Sequence, residues 1–232
     1  MFYWITLVGF IAIYIIGIFG MKYINKKIII NIIFPFLFFL FSLTNTIYFY
    51  YKVGFNDWNF QNTLPVANIS PFMFFTSLII IVLPNKLKKY VNTLILLLSL
   101  GMFGAGMLSL IFNAIRDYNY YWFIILDSFN HLLFSLYGIY LLKTNQICKE
   151  NKKIILSGSL IIFVSLVMLV LNLIFQTSFF GLSLFGNHSI YNIVISDSSL
   201  LSAFIYFIGL IIILCLGWLY SRFIKKKIYS NR

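Results

Sequence analysis

Charge is what this sequence has least of: Asp, Glu, Lys and Arg together make up 9% of its 232 residues. Soluble domains carry roughly 25%, because charged side chains cover a water-facing surface. A surface of that kind is excluded here, and lipid is the expected solvent. Acids are the scarcest, five against 17 basic residues, for a net charge of +12. Only two cysteines occur, Cys148 beside a lysine-rich connection and Cys215 inside the last apolar run. Both fall at a side or depth where no disulfide is expected. The two histidines are scattered without ligand spacing, so no metal site is expected. Nucleotide, haem and iron–sulfur motifs are missing, and no cofactor is expected either. No Lys or Arg precedes the first apolar run, while Lys22, Lys26 and Lys27 follow it. A cleaved secretory signal has the opposite order, so the first run reads as a retained helix that exports its N-terminus.

What the chain does have is apolar length. Hydrophobic residues make up 62% and aromatics 20%, with 27 Phe and 16 Tyr. The abundance of Phe, Ile, Asn and Lys fits a bacterial gene of AT-rich coding, and hence a bacterial cytoplasmic membrane. At about 1.5 Å rise per residue, a hydrocarbon layer of ~30 Å needs ~20 apolar residues. Seven segments qualify, at about 3–21, 28–51, 64–84, 91–115, 120–142, 154–176 and 200–221. They are apolar on every side instead of alternating, which predicts helices and excludes a β-barrel. The expected fold is all-α, one domain over 1–232, a bundle of seven transmembrane helices.

Positive charge sets the orientation. Lys22, Lys26 and Lys27 follow the first segment, Lys86, Lys88 and Lys89 the third, and Lys143, Lys149, Lys152 and Lys153 the fifth. Arg222, Lys225, Lys226, Lys227 and Arg232 form the tail, leaving only Lys52 and Arg116 for the other face. Basic connections stay cytoplasmic, which places the N-terminus outside and the C-terminus inside. These residues then lie next to anionic headgroups and interleave with no nucleic-acid motif, so lipid and not nucleic acid is the expected partner. Gly101 with Ala105, and Gly17 with Gly20, supply small residues for close helix contact. Pro71 is expected to kink the third segment. Trp4, Trp58, Trp122 and Trp218 are expected as interfacial anchors.

Polarity inside the apolar segments marks the candidate site. Asp127 lies six residues into the fifth segment, roughly 9 Å below its outer end. A carboxylate at such depth usually faces a bundle interior or a wet cavity. His131 follows one turn later on the same face, with Asn130 beside it and Ser135 a further turn on. An acid one turn from an imidazole can fix its tautomer and hold the imidazolium, the physical basis of a proton-accepting role. Asn68 and Ser70 open the third segment, and the outer connection 177–199 carries Gly186, Asn187 and His188. The expected arrangement is a polar cavity opening outward between the third and fifth segments and that connection. The bland alternative is that Asn68, Ser70 and Asn130 bond across to neighbouring helices, at about 0.6–2 kcal/mol each, and that His188 sits in a wetted loop.

At these positions the chain resembles the YwaF-like family of bacterial seven-helix integral membrane proteins, whose eukaryotic relatives include a membrane acyltransferase. Leu64-Pro65 followed by Ser70 is similar to the family's opening of helix 3. Phe129-Asn130-His131 followed by Leu136-Tyr137 is similar to its histidine-bearing helix 5, and Gly186-Asn187 stands where it has a Gly-Asn-Tyr signature. Where the family commonly has His or Gln and then Cys, this sequence has Ala67 and Ile69. The resemblance implies seven helices and a His131-centred site without the family's thiol.

Three functions follow from these residues. One is a lipid or small-ligand binder, or a degenerate acyl-transfer enzyme with His131 as base, Asp127 as orienter and Ser70 as nucleophile, and Asn68, Asn130, Asn187 and His188 lining the ligand. The second is a small transporter or permease subunit in which Asp127 and His131 bind a cation or proton. The third is a non-catalytic scaffold or sensor, whose protein partner the sequence does not name.

Overall fold

A computed structural model describes residues 2–25, 28–53, 69–116, 121–175 and 199–228, and every regular element among them is helical. In chain order these are α1 (Phe2–Gly20), a 3₁₀ turn at Met21–Tyr23, α2 (Ile28–Val53), α3 (Ile69–Thr76), α4 (Ile79–Val82), α5 (Asn85–Arg116), α6 (Tyr121–Lys143), α7 (Asn151–Phe175) and α8 (Ser199–Ile228). Five stretches are long and apolar enough to cross a membrane: Tyr3–Gly20, Asn85–Ile111, Ile124–Lys143, Asn151–Ile174 and Ala203–Lys226. Two shorter apolar helices, Ile28–Thr44 and Phe72–Val82, accompany them. The outer faces are as greasy as the core. Ile16 is 70% exposed, Ile155 71% and Phe204 63%. A helix at a water surface turns a polar face outward, whereas these turn Ile, Leu and Phe, as a multi-pass membrane protein does.

α6 is the central rod. Leu132, Phe134, Tyr137, Ile139 and Tyr140 on it are completely buried. Its most extensive partner is α5, with α2 and α1 on its other flanks. Two glycines let α5 and α6 come together. A methyl on Gly138 would lie 2.8 Å from Ser99 Cβ and 3.3 Å from the Ile95 carbonyl oxygen. One on Gly106 would lie 2.9 Å from His131 Cβ. α8 packs on the far side of α5, where Gly217 stands against the Leu97 backbone and Gly101 against Ile213. Gly17 faces Leu136, while Gly20 and Gly104 face open space and Ala105 is exposed. The anticipated small-residue contacts thus involve Gly101 and Gly17 but not their paired positions.

The third apolar segment departs from its expected course. Residues 64–68 lie outside the described ones, and the rest is divided into α3 and α4. The division falls at Ser77–Leu78, not at Pro71. Pro71 occupies the first turn of α3, where no intrahelical N–H is needed. The Ser77 hydroxyl donates to the Phe74 carbonyl at 2.6 Å and lies 3.2 Å from the Pro35 carbonyl of α2, competing with the helical ladder. Leu83 is extended (φ −63°, ψ 143°), as a residue before proline must be, and ends α4. Pro84 then accepts the first bond of α5 from Lys88 at 2.9 Å, so that helix begins six residues before the expected 91.

The end of α6 is a built corner. Asn145 adopts the left-handed conformation (φ 54°), Gln146 N–H donates to Leu141 O at 3.0 Å, and Asn145 N–H to Leu142 O at 3.2 Å. This pair of bonds is a Schellman cap, with Asn doing what Gly more often does. The cap aims Gln146 at α2, where its amide exchanges hydrogen bonds with Asn31 at 2.8 and 3.3 Å. Asn92 of α5 donates to the Gln146 carbonyl at 3.1 Å, and the Cys148 N–H to Thr93 Oγ1 at 2.8 Å. Lys143 Nζ closes the corner on the Ile24 carbonyl. α8 runs past the apolar window to Ile228, and Arg222 lies 4.6 Å over the Trp218 ring. Of the other anchors, Trp4 and Trp122 are exposed and Trp58 lies outside the described residues. Cys148 is buried, Cys215 is exposed, and both are free.

Candidate functional site

His131 is 5% exposed and points into the bundle, not outward from it. Its ring meets Phe74 of α3 edge to face, with centroids 5.2 Å apart and planes at 84°. The α5 backbone at Gly106 passes directly behind it. Ser128, one turn before and fully buried, donates its hydroxyl to the Gly106 carbonyl at 3.0 Å. That bond, together with the missing side chain at 106, fixes α5 against α6 at the level of the imidazole. Asn130 turns the other way and donates to the Phe38 carbonyl of α2 at 3.2 Å. Its Oδ1 is buried and, among the described residues, has no partner.

The tautomer of His131 follows from its contact. Nδ1 lies 2.8 Å from the main-chain carbonyl oxygen of Asp127. A carbonyl only accepts, so Nδ1 carries the hydrogen and the neutral ring keeps its basic lone pair on Nε2. Among the described residues nothing bonds Nε2. The Asp127 carboxylate stands 3.6 Å from Nδ1 through Oδ2, beyond hydrogen-bond range but within ion-pair range. Its side chain is 30% exposed, against 6% for the imidazole. A proton arriving at Nε2 therefore creates an imidazolium beside the Asp127 carboxyl group. The expected Asp127–His131 pairing is thus present, but the bond that orients the ring comes from the Asp127 backbone and not from its carboxylate.

The remaining candidates divide. Ser70 is half-buried in the first turn of α3, one turn before Phe74, and so on the face of α3 that reaches His131. Among the described residues no hydrogen bond joins Ser70 to His131, and the Phe74 ring is what stands beside the imidazole. Asn68, Asn187 and His188 lie outside the described residues, as do Leu64-Pro65 and Gly186. No group of three His, Cys, Asp or Glu that could hold a metal occurs among the described residues.

No protein-family model, curated protein or solved structure matches this chain. The YwaF-like resemblance therefore rests on its short motifs alone, and the site must be read from its own chemistry.

Ser135, one turn beyond His131, belongs to a second set of polar contacts. It is fully buried, and its hydroxyl lies 2.8 Å from that of Tyr14 on α1. Tyr14 in turn lies 2.8 Å from the Tyr220 hydroxyl on α8. Its ring stacks on Phe103 of α5 at 3.8 Å. In the sequence this cluster is marked by Ser135, one turn beyond His131 on the same face, and by Tyr14, a hydroxyl near the middle of an apolar run. Phe74 and Gly106 carry no such mark, being ordinary residues of apolar helices.

Proposed function

We propose that this chain is a seven-span protein of a bacterial cytoplasmic membrane, with its N-terminus outside, that binds a proton at His131 beside Asp127 as part of a small transporter or permease subunit. The observation that carries this reading is the buried imidazole with its Nδ1 hydrogen held by the Asp127 carbonyl at 2.8 Å. That contact leaves Nε2 as the proton acceptor, and the Asp127 carboxyl group stands 3.6 Å from the same ring. A histidine serving only as a clamp between helices would bond a neighbouring helix, and among the described residues this one bonds its own. The apolar outer faces fit membrane lipid as the surrounding partner, and the five long helices with the two shorter apolar ones fit seven spans. The basic connections support the orientation.

The acyl-transfer reading asks for more than is present. It needs a nucleophile within hydrogen-bond reach of Nε2, and among the described residues neither Ser70 nor another hydroxyl bonds that nitrogen. Proton binding needs only the pair. Infrared difference spectra of the reconstituted protein between acid and neutral pH test it directly. An imidazole band present in the wild type and lost in His131→Ala is the expected result. Identical spectra for the wild type and His131→Ala would refute the reading.

A further inference from the structure

The hydroxyls of Ser135, Tyr14 and Tyr220 make a continuous chain that starts one turn below His131 and ends near the basic terminus of α8. Three helices contribute one group each, and both links are 2.8 Å. Ser135 is fully buried and Tyr14 is 5% exposed. Helix geometry sets the direction. Asp127, His131 and Ser135 descend one face of α6 at successive turns of about 5.4 Å. Tyr220 lies 21 residues into α8, so the chain continues away from the end of the bundle where α6 begins. Two residues beyond Tyr220 stands Arg222, whose guanidinium reaches Asn151 at the start of α7. From Asp127 to Ser135 the row descends about 12 Å along α6 at 1.5 Å per residue, and two 2.8 Å links carry it on to Tyr220.

We infer that Asp127, His131, Ser135, Tyr14 and Tyr220 form a proton path that links the imidazole to the cytoplasmic side. The inference rests on the proton-binding reading of His131. Each hydroxyl accepts a proton on an oxygen lone pair and releases its own hydrogen to the next oxygen, so it ends neutral and no tyrosinate forms. The proton leaves His131 Nε2, restoring the neutral ring, and one water molecule spans the helical turn between the ring and Ser135. After each passage the hydroxyls rotate back, which a Ser or Tyr O–H does freely. Hydroxyls that served only to join helices would matter to stability and not to proton movement. Among the described residues, Asp127 stands at its outer end, and Lys143 of α6 and Arg222, Lys225 and Lys226 of α8 lie beyond its inner end. That distribution draws a proton toward the Asp127 end and resists its accumulation at the other.

The test is proton flux into vesicles of phosphatidylethanolamine and phosphatidylglycerol that hold the full chain and a pH-sensitive dye, driven by a potassium diffusion potential. Wild-type vesicles should acidify faster than protein-free ones. Tyr14→Phe, Ser135→Ala and Tyr220→Phe should each lower that rate about tenfold, and Ser135→Thr, which keeps a hydroxyl, should retain it. Tyr14→Phe preserves the ring that stacks on Phe103, and thermal unfolding of each variant shows whether it has folded. Wild-type flux equal to that of protein-free vesicles overturns the path. So does full flux in folded Tyr14→Phe and Ser135→Ala. The infrared band of His131 does not depend on either result, so the path can fail while proton binding stands, and loss of that band would remove both.

Discussion

Gly217→Ala tests how closely the bundle is packed, because it adds one methyl where two backbones meet. The new Cβ would lie 2.7 Å from the Leu97 carbonyl carbon, 3.0 Å from its Cα, and closer still to its oxygen. Ordinary contact begins near 3.4 Å, so α8 must move off α5 by roughly 1 Å, a gap that forfeits a quarter to a half of each dispersion contact across the interface. Leu97 cannot yield by changing rotamer, since the obstacle is main chain inside a helix. Overpacking of this kind costs about 1–3 kcal/mol. Gly209→Ala on the same helix is the control, since its Cβ would meet nothing within 4 Å. Both changes gain the same helix propensity, about 1 kcal/mol, so their difference isolates the clash. Thermal unfolding in detergent should place Gly217→Ala below Gly209→Ala by several degrees, at about 2–4 °C per kcal/mol for a chain of this size. Equal midpoints would refute the backbone contact between α5 and α8.

The Asn31–Gln146 bridge should show coupling in a double-mutant cycle to alanine, about 0.6–2 kcal/mol by thermal unfolding, and strictly additive losses would show that the corner is not held by it. Reporter fusions after Lys143 and after Ile228 should both report the cytoplasm, because the proposed seven-span topology runs its fifth and seventh spans in the same direction, and opposite results would break that proposal.

Close approach is the common theme of the site and of these predictions. The imidazole of His131 is buried because Gly106 and Ser128 let α5 pass within contact of it, and Phe74 is carried to its edge by α3. The break at Ser77 and the capped corner at Asn145 tie α3 and α6 to α2 through Pro35 and Asn31. The corner concentrates bonded polar groups at the Lys143 end of α6, away from the outward cavity that the sequence had suggested. Asn31, Asn92, Thr93 and Gln146 read there as residues of connections and helix ends, and only folding shows that they meet.

The amino-acid sequence by itself determined the apolar surroundings, the all-helical class and the spacing of one acid a turn before one histidine. Those follow from local quantities: the apolar length of each run, the scarcity of charge, and a helical period that puts residues four apart on one face. Tertiary structure decided everything that requires two helices. It chose which side of each rod turns inward, a choice that helices apolar all round do not reveal through any stripe of polarity. It set Nδ1 against a carbonyl instead of the carboxylate, and brought Tyr14 and Tyr220 to Ser135 from opposite ends of the chain. It also left Ser70 without a bond to the imidazole. Packing between surfaces of similar composition is settled by shape, at glycines such as Gly106, Gly138 and Gly217, and shape of that kind exists only once the helices are side by side.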